Sequence, residues 1–109
     1  MILDRQGPSG APLKLAQSAA ILVYLAEKTG SFLPSAPSSR AQVLEWLFIN
    51  ATDIAPAGFH AFLHARRGQN EAAEHLLDRI AAHYVTFDHH LAQQAYLGGE
   101  RYSIADIAA

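Results

Sequence analysis

The side chains in this 109-residue chain that are of types able to do chemistry are mostly scattered. An adjacent amide and hydroxyl, Gln17-Ser18, interrupt the otherwise apolar stretch LAQSAAILVYLAEK, residues 15–28. A hydroxyl where a helix begins has two uses. It can cap the helix by accepting a free N–H of the first turn, or it can join those N–H groups and the helix dipole in holding a carboxylate. Gln17 adds an amide that can accept from an ammonium or donate to a carboxylate. Capping and ligand binding are compatible, because both use the positive end of one helix. Asp53, next to Thr52 on an apolar segment, reads as a solvated face or a local cap ahead of Pro56.

Other chemistries find little support. Of six histidines, His60 and His64 stand at i,i+4 and could face one ion from a helix. No third ligand is evident, His89-His90 point to different faces, and no His-Glu-x-x-His pattern occurs, so surface histidines and no metal are expected. There is no cysteine, which removes disulfides, thiolate zinc sites and cysteine nucleophiles together. No Gly-x-Ser-x-Gly elbow supports a serine nucleophile. Gly7-Pro8-Ser9-Gly10 is a turn, not a phosphate loop.

Composition narrows the partners. Half the residues are apolar, 17% are charged and the net charge is −2, with a pI near 6.3. Such a chain is globular and carries no electrostatic footprint for nucleic acid or an anionic membrane. Met1 is followed by Ile-Leu-Asp-Arg, not by a basic segment and an apolar run, and no stretch approaches the ~20 apolar residues that span a bilayer. A cytoplasmic, reduced environment is expected.

The elements that must position these residues are a hairpin and several helices. Ile2-Leu3, the turn Arg5–Gly10 and the alternating Leu13-Lys14-Leu15 predict a β-hairpin over residues 1–17. Helical periodicity follows over 18–28, with Ile21, Leu22, Leu25 and Ala26 as the stripe and Gly30 placed to end it. Residues 31–38, bearing two prolines, read as a linker. Ser39-x-x-Gln42 has the capping-box pattern, so a helix is expected from 39 to about 55, apolar on nearly every face and stopped or kinked by Pro56. A helix resumes over 57–67. Asn70 is placed to cap another of about six turns, with Ala73, Leu76, Leu77, Ile80, Tyr84, Phe87 and Leu91 as its stripe and Leu97-Gly98-Gly99 at its end. Ser103-Ile104-Ala105-Asp106 is a second capping signature, with Tyr102 a candidate staple.

The order and wording of these parts resemble the glutathione transferase family, in a bacterial form. "ILDRQGPSGAPLKLAQSAAILVYLAEKTGSFLP" is similar to the second half of that family's thioredoxin-like domain. "RAQVLEWLF" resembles the first helix of its all-helical domain, and "LGGERYSIADIAA" the capped start of a later core helix. The resemblance implies a mainly α fold: a β-hairpin plus helix from a thioredoxin-like α/β domain (1–30), a linker (31–38), and an incomplete all-helical bundle (39–109). It implies glutathione as co-substrate, with Gln17 and Ser18 holding its γ-glutamyl end. It also implies conjugation to a small hydrophobic electrophile and a homodimer, in which Asp53 could reach across to the ammonium of glutathione. Phe59, His60 and Phe62 would lie near the electrophile, whereas Tyr24 and Trp46 are expected to be packing aromatics. The segment carrying the thiol-activating residue in the family does not match any part of this chain. The residues therefore read as the middle of such a transferase, with the γ-glutamyl half-site and no catalytic residue. The competing reading is a non-enzymatic, transferase-like interaction module that needs a partner chain.

Overall fold

The computed structural model describes residues 1–109. Strands β1 (Ile2–Asp4) and β2 (Leu13–Leu15) form a two-stranded antiparallel sheet. Its register pairs Ile2 with Leu15, Leu3 with Lys14 and Asp4 with Leu13. Five helices follow: α1 (Ser18–Thr29), α2 (Pro37–Phe48), α3 (Ala55–Arg66), α4 (Asn70–Leu91) and α5 (Ile104–Ala108). The chain is mainly helical with a small sheet, as its patterning predicts. The β-hairpin, the glycine end of α1 and the capped start of α5 stand where expected.

Several boundaries differ, each for a local reason. Helix α2 begins at Pro37, ahead of the Ser39-x-x-Gln42 signature, because proline supplies the helical φ and needs no partner for an N–H at the first position. Ser39 Oγ donates back to Ala36 O at 3.3 Å instead of capping. Pro56 does not end its helix. The six residues before α3, Ile49–Ile54, form a π-helical segment in which Ala55 N–H reaches Asn50 O, five residues back. This wider turn carries the chain past the missing N–H, so α2, the π segment and α3 run on without a break. Helix α4 has Gln69, not Asn70, in the cap position and ends at Leu91, six residues before Leu97. A separate turn, closed by paired bonds between Tyr96 and Gly99, then leads to α5.

The main core gathers Ala26 from α1, Val43 and Leu47 from α2, Ile54, Phe87 from α4, Leu97, and Ile104 and Ala105 from α5. Trp46 seals one side, edge-on to Phe87 with centroids 5.0 Å apart and 4.5 Å from the His90 ring, which is the packing role expected of it. Helices α3 and α4 approach closely through small residues: Ala57, Ala61 and Ala73 are buried, and Gly58 sits over Ile80. On α1 the inward stripe is Ala19, Leu22, Val23 and Ala26, while Leu25, expected inside, is 40% exposed. The stripe of α4 is likewise narrower than its apolar residues suggest, with Leu77, Tyr84 and Leu91 outside.

The molecule is a thin slab of 50 × 36 × 15 Å with a radius of gyration of 16.5 Å. A compact chain of this length has a radius of about 13 Å. Large apolar side chains therefore remain on the surface, among them Phe48, Phe59, Phe62 and Val85.

Candidate functional site

The corner between β2 and α1 is built by the backbone. Gln17 occupies the cap position of α1 with φ 71° and ψ 119°, a conformation that residues with a Cβ rarely adopt. Ser18, expected as the cap, is the first helical residue. No side chain caps this helix. The first ladder bond runs from Ile21 N–H to Gln17 O at 3.0 Å, so the N–H groups of Ser18, Ala19 and Ala20 have no protein acceptor. Gln17 and Ser18 are both exposed. The corner thus presents three backbone donors, a hydroxyl and an amide to solvent, with the positive end of a twelve-residue helix behind them. Such an arrangement suits a carboxylate.

The other end of α1 holds the hairpin in place. Asp4 Oδ2 accepts a hydrogen bond from the Tyr24 hydroxyl at 2.5 Å and pairs with the Lys28 ammonium, while Asp4 Oδ1 accepts the Gln6 N–H at 2.9 Å. Lys28 also donates to Gln6 O at 2.9 Å. Lys28, then Tyr24 and the Gln6 amide, hold the Asp4 carboxyl down at about 2, and the bond to Asp4 pushes the Tyr24 hydroxyl above its ordinary 10. Tyr24 therefore does more than pack. This cluster joins residues up to 24 positions apart, and no local sequence signal announces it. Its effect is to fix β1 and β2 on α1, and with them the entry of Gln17 into the corner.

Asp53 lies elsewhere, on the π segment, partly buried and accepting a hydrogen bond from Thr52 Oγ1 at 3.1 Å. Phe48 O, at 2.9 Å, is the nearer acceptor for the same single Thr52 hydroxyl proton. The π segment packs with α2, α3 and α4. Asp53 is thus carried by the helical half, and Gln17-Ser18 by the hairpin and α1.

Phe59 and Phe62 are 60% and 55% exposed on α3, with the Arg66 guanidinium 5.7 Å from the Phe62 ring centre and the His60 ring 5.9 Å from that of Phe59. His64 Nδ1 is 2.6 Å from Gln69 Oε1. No group of three or more His, Cys, Asp or Glu side chains converges as a metal site would require. No helix is long and apolar enough to cross a membrane.

A cleft of about 850 Å³ lies away from the Gln17-Ser18 corner. It runs between the end of α1 (Ala26, Glu27, Gly30), residues 32–36, the start of α2 and residues 98–103. Ala26 is about 12 Å along the helix axis from Ser18 at the usual rise per residue. Glu27 and Arg40 form an ion pair on its wall at 2.5 Å.

Comparison with known proteins identifies the family. Residues 51–109 match the family description "Glutathione S-transferase, C-terminal domain". Among curated relatives, the disulfide-bond oxidoreductase YfcG of Escherichia coli K12 is 40% identical over 105 residues, covering 91% of this chain and 47% of the relative. The disulfide-bond oxidoreductase YghU of the same strain is 35% identical over 100 residues, covering 89% and 35%. A glutathione transferase family member from Pseudomonas fluorescens, solved with two glutathione molecules bound, superposes with a TM-score of 0.90 at 33% identity, covering 98% of this chain and 49% of that one. A glutathione transferase from Pseudomonas putida, solved with one glutathione disulfide per subunit, gives 0.87 at 37%, covering 97% and 48%. The chain spans less than half the length of these curated relatives. With over half of its residues in the matched domain and the rest following the same structures, the chain belongs to the glutathione S-transferase family.

Proposed function

We propose that the protein to which these residues belong acts on glutathione, and that this chain supplies the half-site for its γ-glutamyl end. The observation that carries the reading is the uncapped corner: three free N–H groups of α1, flanked by Gln17 and Ser18. The γ-glutamyl α-carboxylate fits those donors, and the Gln17 amide oxygen suits the neighbouring ammonium. Solved relatives with glutathione or its disulfide bound support the ligand class. In this reading Asp53 serves the site of a second copy in a homodimer, and the exposed Phe48, Phe59 and Phe62 fit a helical half that has a neighbour. The thiol-activating group is not among these 109 residues, and the whole protein transfers glutathione to a small apolar electrophile.

A second chemistry is favoured by the names of the E. coli relatives, which are disulfide-bond oxidoreductases. This chain has no cysteine, so within it no protein thiol is available for exchange. Glutathione would then supply both reducing thiols. One glutathione thiolate attacks the disulfide, releasing one substrate thiol and leaving a mixed disulfide, and a second glutathione thiolate releases the other substrate thiol and forms glutathione disulfide.

The direct test follows backbone amide resonances while glutathione or glutathione disulfide is added. Shifts should concentrate at Ser18, Ala19 and Ala20 with either ligand, and binding should be weak for this chain alone. Saturation that leaves those three amides unmoved would sink the half-site. Turnover assays on a longer protein containing this chain, with a model electrophile and with a mixed glutathione disulfide, separate the two reactions. Binding without either turnover would favour a non-enzymatic module.

A further inference from the structure

Phe32 stands in the left-handed region at φ 65°, one of two residues other than glycine with positive φ in the chain. An aromatic residue gains nothing from that region locally, and the conformation costs roughly 1–2 kcal/mol against the usual regions. Its ring does not repay the cost by burial, being 52% exposed. The surroundings give another reason. The Phe32 carbonyl accepts the Ile104 N–H at 2.9 Å. Ile104 is the first residue of α5, whose N–H has no acceptor within its own helix. This is the only backbone hydrogen bond between residues 1–35 and residues 37–109. The Phe32 ring meets Tyr102 edge-on at 6.2 Å, and Tyr102 meets Tyr96 edge-on at 5.7 Å. Ile104 itself is 1% exposed and belongs to the core shared by α1, α2 and α5.

We infer that Phe32 is a strained latch between the two halves of the molecule, its left-handed backbone aiming the carbonyl at Ile104 and so fixing the hairpin and α1 against the helical half. When the latch opens, the linker is free to relax to a negative φ, and the cleft between residues 32–36 and 98–103 changes shape. The ion pair Glu27–Arg40 remains as the other polar tie across that boundary. The inference concerns the joint between the halves and does not depend on which ligand the Gln17-Ser18 corner takes.

Amide hydrogen exchange at Ile104 reads the latch directly, with Ser31 N–H, bonded to Ala26 O at 3.2 Å, as an internal reference on α1. Phe32→Gly keeps the carbonyl and tolerates positive φ, so Ile104 should stay protected. Phe32→Ala keeps the backbone cost and loses the ring, and Ile104 should exchange roughly fivefold to thirtyfold faster than in Phe32→Gly. Equal Ile104 exchange in the two variants would overturn the inference, since ring loss alone would then account for both. Loss of protection in Phe32→Gly with Ser31 unchanged would overturn it as well. Should Phe32→Ala fail to fold, Tyr102→Ala, which leaves the Phe32 backbone intact, must retain most Ile104 protection for the inference to stand.

Discussion

Asp106 holds Leu97 from across a turn: its Oδ1 accepts the Leu97 N–H at 2.8 Å while its Oδ2 accepts the Ser103 N–H and the Ser103 hydroxyl, each at 2.8 Å. One carboxylate thereby closes the α5 capping box and ties it to the segment leaving α4. The Leu97 carbonyl lies 3.0 Å from His90 Nε2, so the residue is gripped on both sides while its side chain fills the core. Asp106→Ala leaves two backbone donors without an acceptor and should cost about 2–4 kcal/mol. Ser103→Ala, which loses only the hydroxyl's two bonds, should cost about 1–2 kcal/mol. Urea unfolding followed by circular dichroism gives both values, and the order Asp106 above Ser103 is the firm expectation.

Gly98 sits under the same turn with no space for a side chain. A Cβ there would lie 2.6 Å from Val43 Cγ2 and 2.9 Å from Ser103 Oγ, and Val43 is fully buried. Gly98→Ala must therefore push the turn off α2 or disturb the cap, at about 1–3 kcal/mol for a methyl forced into a packed site. Gly99→Ala meets no neighbour but sits at φ 111°, so its cost is conformational. Thermal unfolding of the two variants, with and without the second change Val43→Ala, distinguishes the mechanisms: only the Gly98 variant should be partly rescued.

The hairpin should have its own dependence on pH. Asp4 titrates near 2 in the folded chain against an ordinary 3.8, so its contribution is fully present above about 4 and is lost as pH falls toward 2. Tyr24 is shifted the other way, above 10, so its contribution is present below 10 and is lost as pH rises through its folded value. Exchange of the Gln6 amide, bonded to Asp4, should accelerate at both extremes while amides of α4 stay protected. Asp4→Asn should remove the acid limb. A Gln6 amide whose acid limb is the same in Asp4→Asn as in the unaltered chain would contradict the assignment.

What the sequence makes legible is what neighbouring residues decide. Leu13-Lys14-Leu15 alternates because one face is covered, Gly30 ends α1 because it accepts φ 66°, and Ser103 and Asp106 cap at their expected spacing. The misplaced helix starts show local signals in competition: Pro37 begins α2 before Ser39 can cap it. The π segment before Pro56 is harder to foresee, since proline alone permits a stop, a kink or a widened turn. The residues least visible are those set by distant partners. Asp4 finds Tyr24 and Lys28 across the hairpin, and Phe32 finds Ile104 across the linker. Gln17 and Ser18 attract notice by their types, yet the positive φ that bares the helix N–H groups belongs to a residue that gives no warning of it.

That conformation at Gln17 makes the last prediction, in which stability and binding move in opposite directions. A residue with a Cβ at φ 71°, ψ 119° carries a cost of order 1–3 kcal/mol, and no side-chain bond to the helix offsets it. Gln17→Gly should therefore stabilise the chain by about 1 kcal/mol, the strain relieved less the added entropy of unfolded glycine. The same change removes the amide that would meet the γ-glutamyl group, so glutathione-induced shifts at Ser18, Ala19 and Ala20 should need more ligand to saturate. Ser18→Ala separates the two effects. Its hydroxyl makes no hydrogen bond within the protein, so the helix should lose nothing while binding weakens. Denaturant midpoints and amide titrations on the two variants decide the matter. If Gln17→Gly binds glutathione as well as the unaltered chain, the ligand is read by the backbone alone and the Gln17 side chain has no part in it; if it is also less stable, the strain at this corner is compensated by contacts the side chain makes elsewhere.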